Sequence, residues 1–409
     1  MTSAAPTASI GRRLTPILSL GKQPLANNLV PLDRADTPDA VFPLELMWCD
    51  DLKLVQLSTS VPPTELFSEY LYLTSFSTAL VEAARVHVDE RVARHGLVAG
   101  DLAMEIGSND GYLLKHYQAY GLDVLGVDPA SNVAAVANEA GVPTLNTFFG
   151  REVGSELRAE HRRPKVVHAN NVMAHVPDVD GVMAGVATML HDDGVFVTET
   201  PYVVKMIDTA EFDTIYHEHL YYYSLTSYTG LLARNGLETI DVELIPAHGG
   251  SLRITAALPG RYPLTEAAHK MLTDEEAAGV NTAKYYAEFG DNVRALLRKL
   301  ADLLDSLAAD GRTIGGYGAA AKATVLLNAL GPAAAHVMWV ADKSTFKQGH
   351  LMPGPRMPIV SPDSVLDDQP DYLLVLAWNY FDEIAKQLSE YRAAGGQFIV
   401  PIPDPKVVA

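Results

Sequence analysis

The chain has 409 residues, 48% hydrophobic and 20% charged, with 31 Lys and Arg against 50 Asp and Glu, a net charge of −19 and one cysteine. That length favours two or three domains over a single core, and the acid excess argues against nucleic acid or an anionic membrane as a partner. Cys49 can form no internal disulfide and cannot by itself make a structural zinc site, which takes about four ligands. No run approaches the roughly 20 apolar residues of a membrane span and the start lacks a signal-peptide pattern, so a cytoplasmic protein is expected.

Residues 1 to about 90 mix short extended stretches with proline-punctuated turns, such as Gln23-Pro24-Leu25 and Val61-Pro62-Pro63, and predict a small irregular N-terminal domain followed by a helix over 77–95. Strands at 101–106, 123–127, 165–168 and 195–199 then alternate with helices at 111–120, 132–140 and 179–190, which predicts βαβ units and a mostly parallel sheet. Two β-rich runs between 237 and 257 read as an antiparallel pair closing that sheet. Residues 265–309 carry a helical period and form the expected connector. A second alternation follows, with strands at 313–317, 337–341, 372–377 and 398–401 and helices at 319–329 and 381–394. The expected division is 1–75, 76–260 and 261–409.

Glu105-Ile106-Gly107-Ser108-Asn109-Asp110-Gly111 lies between a strand and a helix, and Gly126-Val127-Asp128-Pro129 ends the next strand. A glycine turn at the end of the first strand admits a ligand to the backbone, and an acid ending the second can bind ribose hydroxyls. A third glycine and a P-loop lysine are missing, so the turn does not describe a pyrophosphate cradle. Glu105 would repel phosphate but attract a sulfonium or an ammonium. An ordinary turn of an α/β domain is the plainer alternative.

Tyr216-His217-Glu218-His219 offers groups that polarise a carbonyl and remove an α-proton. Read as a strand, it would let His217 and His219 converge on one face without Glu218, a weak metal site of two ligands. Polar residues satisfied at a domain edge are the bland alternative. Gly315-Gly316-Tyr317-Gly318-Ala319-Ala320-Ala321-Lys322 is again strand, turn and helix, and its open helix start with Lys322 suits a diphosphate, aided by Lys343 and Lys347. Solvated loop lysines are the plainer reading of those side chains.

Taken together these segments resemble the nucleotide-sugar C-methyltransferases of antibiotic deoxysugars, such as the 3-C-methyltransferases that make mycarose or tetronitrose. The likeness spans almost the whole chain. It also runs through Pro24-Leu25-Ala26-Asn27, Tyr70, Asn170-Asn171, His175-Val176-Pro177-Asp178, His248-Gly249-Gly250-Ser251-Leu252-Arg253 and Trp378-Asn379-Tyr380. The resemblance implies an α/β protein: a Rossmann-like S-adenosylmethionine-dependent methyltransferase domain between a small zinc-binding N-terminal domain and a Rossmann-like C-terminal domain that helps hold the nucleotide. Family members carry two cysteine pairs near the start. This chain keeps only Cys49, with Leu52 where its partner would fall, so the domain is expected without metal, packed around Phe42, Leu44, Leu46, Trp48 and Leu54.

The implied reaction is C-methylation, at C3 by family frequency, of a dTDP-linked 4-keto-deoxysugar through an enolate. By their place in the matching motifs, His219 is the expected base, Glu218 its orienting or acidic partner, and Tyr216 the donor to the enolate oxygen, with His175 and Tyr70 as further catalytic candidates. Glu105, Gly107, Asn109 and Asp128 should hold S-adenosylmethionine, with Phe148 or Asn170 near its adenine. Arg253, Tyr317, Lys322 and Lys347 are the expected substrate contacts. A monomer or a simple homo-oligomer fits. The rival readings are a nicotinamide-dependent sugar oxidoreductase or epimerase and a catalytically silent nucleotide-sugar-binding protein.

Overall fold

The computed structural model describes residues 5–6, 13–62, 73–160, 162–246 and 250–409. Tyr70, His248 and Gly249 lie outside the described residues.

Three strands, β1 (Leu14–Pro24), β2 (Val41–Cys49) and β3 (Leu54–Leu57), pair antiparallel at the N-terminus. In β2 the period of two is clear: Phe42, Leu44, Leu46 and Trp48 turn inward while the residues between them stay more open. Helix α1 (Thr78–His95) follows, capped by the Ser77 side chain at its start and by left-handed Gly96 at its end.

The middle sheet is built from β4 (Leu102–Ile106), β5 (Asp123–Val127), β6 (Thr144–Leu145), β7 (Val166–Asn170) and β8 (Val195–Pro201). A two-residue strand β9 (Tyr221–Tyr222) comes next in the chain, and β10 (Glu238–Ile245) and β11 (Ser251–Ala257) close the sheet. The order is β10-β11-β8-β7-β4-β5-β6, parallel except for β11, which runs antiparallel to both β8 and β10. The chain leaves central β4 toward β5 on one side and later fills β7 on the other, so a crevice opens at the carboxyl ends between them.

Helices α2 (Leu114–Gln118), α3 (Ser131–Glu139), α4 (Arg151–Ala159), α5 (Val179–Met189) and α6 (Leu225–Arg234) complete this part. Helix α4 has no counterpart in the sequence reading. Its mid-helix Gly154 lowers helix propensity, yet a Cβ there would meet the Gly185 carbonyl oxygen at 2.5 Å. The glycine that hides the helix in the sequence is the residue that lets α4 pack against α5.

The connector is not one helix but α7 (Glu266–Ala278) and α8 (Phe289–Ala309), with a short turn of helix at Ala283–Tyr286 between them. The C-terminal sheet then runs β14-β13-β12-β15-β16-β17, from β12 (Ile314–Tyr317), β13 (Val337–Ala341), β14 (Ile359–Val360), β15 (Tyr372–Val375), β16 (Gln397–Val400) and β17 (Lys406–Val408). Helix α9 (Ala321–Leu330) follows β12.

The small sheet does not stand alone. Strand β9 joins its edge by pairing Tyr221 with Gln56 and Tyr222 with Val55. Leu44, Leu46 and Trp48 belong to one continuous core with Phe212, Tyr223 and Phe289, and Trp48 stacks on Tyr286 with ring centroids 5.0 Å apart. On its other flank Val30 and Pro31 pair with His350 and Leu351, and the Arg356 guanidinium meets Asp39 at 2.6 Å. A small domain that borrows a strand and shares a core has less need of a metal staple.

Candidate active site

Sequence spacing dictates the donor turn. Gly107 takes φ +67°, a conformation that side-chain-bearing residues resist, and its N–H donates to the Val127 carbonyl at 2.8 Å. Asn109 is also left-handed, at φ +50°. The Asp128 carboxylate accepts from the Asn109 N–H and the Ala130 N–H, each at 2.9 Å. From above, the Asn109 and Asp110 side chains accept the backbone N–H groups of Thr74 and Ser75 at 2.9 and 3.0 Å, which ties the approach to α1 onto the turn.

Over this turn lies a cleft of about 980 Å³ lined by Gly107, Asn109, Asp128, Phe148, Asn170, His175 and Arg253. The proposed donor residues thus meet in one place, apart from Glu105, which is 1% exposed beneath the turn. Burial, with Asp128, Glu199 and Asp110 nearby, pushes the Glu105 carboxyl well above the ordinary range. Burial also raises Asp128, against the lowering hydrogen bonds from Ala130 and Asn109. Glu105 Oε2 and Asn170 Oδ1 are buried acceptors with no hydrogen-bond partner among the described residues. Crowded carboxylates with unfilled acceptors suit a ligand that brings positive charge and N–H groups.

The sequence reading gave no role to Tyr112 and Glu199, which also line the cleft. Glu199 near the end of β8 occupies the same kind of strand-end position as Asp128, a signal that could have found it. Arg253 on β11 meets Glu199 at 2.8 Å and Glu243 at 3.2 Å, which sets it on the donor side of the cleft.

Beside the cleft two loops cross, one after β7 and one after β8. Leu220 donates its N–H to the Ala174 carbonyl at 2.7 Å, and the Tyr221 hydroxyl to the Pro177 carbonyl at 3.1 Å. Residues 216–219 form a turn closed by the His219 N–H on the Tyr216 carbonyl at 2.8 Å. The segment is therefore a turn and not a strand, and the two histidines diverge. His217 turns to the small sheet, donating Nε2–H to the Phe42 carbonyl at 3.2 Å.

His219 keeps Nδ1 2.9 Å from the Thr214 carbonyl and Nε2 2.8 Å from the Tyr216 hydroxyl. A carbonyl only accepts, so the proton sits on Nδ1 and the Nε2 lone pair receives the phenol. The Glu218 carboxylate does not orient this ring. Both of its oxygens accept from Asn27 Nδ2, at 2.8 and 3.0 Å, and burial lifts it to about 7 against that contact. Its backbone carbonyl accepts from His175 Nδ1 at 2.8 Å. The His175 ring lies 4.8 Å from that of His219, and burial holds it neutral by lowering it to about 4.

The C-terminal candidates separate. Tyr317 is 4% exposed and belongs to the apolar cluster that includes Trp339 and Phe398. Lys347 Nζ donates to the Ala319 carbonyl at 2.8 Å and reaches Asp342 at 3.3 Å. Lys322 Nζ lies 3.1 Å from Asn379 Oδ1 and 4.8 Å from the Trp378 ring centroid. Asn379 and Tyr380 reach the donor cleft from this side.

An open, mostly parallel sheet with a glycine turn and a strand-end acid at its carboxyl edge defines an α/β ligand-binding domain. Family models assign residues 87–242 to a methyltransferase domain and 246–403 to a C-methyltransferase C-terminal domain. C-methyltransferase NovU of Streptomyces niveus is 38% identical over 394 residues, covering 96% of this chain and 94% of that protein. The chain belongs to this C-methyltransferase family, and it is an S-adenosylmethionine-dependent enzyme. Among solved structures it is similar to magnesium protoporphyrin IX methyltransferase of Synechocystis PCC 6803 with bound SAH, at 18% identity over 43% of this chain and 82% of that one, TM-score 0.34. It is likewise similar to the CcbJ methyltransferase of Streptomyces caelestis, at 15% identity over 43% and 89%, TM-score 0.34.

The residues present fit such a donor: Asp128 would face the ribose, the Gly107–Asn109 turn would lie under the backbone, and Asn170 and Glu199 on the cleft wall would face its positively charged end. Gly107→Ala is expected to weaken S-adenosylhomocysteine binding about tenfold, because left-handed φ costs a side chain about 1–2 kcal/mol. Its Cβ would also stand 2.5 Å from Val172 Cγ2. Calorimetric titration checks this, and unchanged affinity contradicts it.

A third family model, a zinc binding domain, matches residues 9–67. The residues do not fit a zinc ion. Cys49 is buried, residues 1–62 contain no histidine, and no group of three or more metal-ligating side chains occurs among the described residues. Purified protein is expected to contain far less than one zinc per chain by plasma mass spectrometry, and stoichiometric zinc would overturn this.

Proposed function

We propose that the enzyme methylates the carbon beside the ketone, C3, of a dTDP-linked 4-keto-deoxysugar through an enolate, in deoxysugar biosynthesis. The observation that carries this reading is the Tyr216–His219 contact, whose imidazole lies 4.8 Å from the ring of His175, a residue that lines the cleft. It is a proton-accepting pair one side chain away from the cleft wall, the equipment of carbon-acid chemistry.

S-adenosylmethionine supplies an electrophilic methyl on a sulfonium. The chain's residues make the carbanion. The proton leaves carbon for the Tyr216–His219 pair, His219 ends as an imidazolium, and its Nδ1–H remains on the Thr214 carbonyl. The C–H electron pair moves into the C4 carbonyl to give the enolate, whose carbon would take the methyl that the bound donor would supply. His175, neutral at pH 7 with its proton on Nδ1 facing the Glu218 carbonyl, offers an accepting Nε2 beside the same ring, suited to a substrate hydroxyl rather than to the ketone. Lys322 is placed for the substrate diphosphate, with Asn379 and Tyr380 leading from it to the donor cleft. Tyr70 keeps its place as a catalytic candidate from the matching motif.

The test is isotope exchange. A dTDP-4-keto-6-deoxysugar incubated in deuterium oxide should take up solvent deuterium beside the ketone and gain one methyl only with donor present. Uptake with no methyl gain would favour an epimerase, and neither signal would favour a binding protein.

A further inference from the structure

Trp378 comes from the C-terminal domain, yet its indole Nε1–H donates to Asp213 Oδ2 in the middle domain at 2.7 Å. Asp213 is 0% exposed and sits in the one-turn helix Phe212–Thr214. A buried carboxylate costs free energy unless donors face it, and this indole is the one side-chain donor within hydrogen-bond distance among the described residues. The next residue is Thr214, whose carbonyl takes the His219 Nδ1 proton at 2.9 Å and so fixes which tautomer faces Tyr216. Over the face of the same indole lies the Lys322 ammonium, 4.8 Å from the ring centroid.

We propose that Trp378 is a positioning residue for proton abstraction: through Asp213 it holds the 212–214 turn, and with it the Nδ1–H tautomer of His219, so that the base is competent only with the C-terminal domain docked. The inference rests on the Tyr216–His219 reading. Nothing in it requires Trp378 to touch a substrate. It also explains why a chain with a complete methyl-donor sheet carries a second α/β domain whose loop reaches back to the catalytic turn. Lys322, the diphosphate candidate, shares the indole, so substrate phosphate and base are linked through one side chain.

Trp378→Phe keeps the ring and its contact with Lys322 but removes the N–H. It is expected to slow both deuterium uptake into the sugar and methyl transfer at least about tenfold, the loss of one hydrogen bond to a charged group. Sugar KM and the S-adenosylhomocysteine dissociation constant should stay within about twofold. Nitrogen NMR of the imidazoles should show the His219 Nδ1–H form giving way to a mixture. Asp213→Leu should cost a similar factor, and the double variant no more than the single ones.

His219→Ala is run alongside. If it leaves deuterium uptake intact, the reading of the base fails. If it abolishes uptake while Trp378→Phe does not slow it, or if Trp378→Phe alters kcat, KM and donor affinity together with no change in tautomer, the positioning role is overturned. The NMR readout needs no turnover, so it stands even if Asp213→Leu fails to fold.

Discussion

His219→Ala and Tyr216→Phe are each expected to lower kcat for methyl transfer by about 10²–10⁴-fold, the usual contribution of a placed acid–base group. Donor affinity should barely move. The Tyr216 hydroxyl and His219 Nε2 are 2.8 Å apart and act as one unit, so the double variant should lose little more than the worse single one. The glycine turn and Asp128 lie on a different loop and keep their own hydrogen bonds when the ring is removed. Steady-state kinetics paired with calorimetric titration of S-adenosylhomocysteine checks the split. Equal losses in turnover and donor binding would mean that the pair props up the cleft rather than moving a proton.

The contrast between the two loops explains what the sequence could reveal. Gly107, Asn109 and Asp128 belong to one β-turn-α-β unit, so their spacing alone brings them together, and an extended run such as Phe42 to Trp48 declares its inward face by alternation. The Tyr216–His219 segment carried its chemistry in its residue types but not its geometry. Read as a strand it would have paired His217 with His219. The turn closed by the His219 N–H sends one to the Phe42 carbonyl and the other to Thr214.

Partners distant along the chain were not legible at all. Asn27 meets Glu218 across 191 residues and Trp378 meets Asp213 across 165, and no local pattern encodes either contact. Tyr317 sits in a glycine-rich strand end that looks like a ligand turn, while its burial in the cluster that includes Trp339 and Phe398 has no local sequence signal. Strand β9 was missed for a similar reason: it is two residues long, and its pairing partner is β3 of another domain.

Glu218→Gln should make the protein more stable at neutral pH than the parent, with the advantage fading in acid. Burial raises the Glu218 carboxyl from 4.5 to about 7, against the hydrogen bond it accepts from Asn27. Below about pH 4.5 the group is protonated in both folded and unfolded chains, and it costs nothing. Between 4.5 and 7 the unfolded chain releases the proton while the folded one keeps it, so stability falls as pH rises. Above 7 the loss is complete. A shift of that size corresponds to about 3 kcal/mol. Glutamine accepts from Asn27 with no charge to desolvate and escapes the penalty. Urea unfolding at pH 5, 6, 7 and 8 should therefore show the variant's advantage growing across the series. A constant difference would mean that Glu218 ionises freely in the folded protein. The residue also offers its backbone carbonyl to His175 Nδ1, a contact the substitution keeps, so a fall in kcat in this variant would assign the carboxyl itself to the proton transfer.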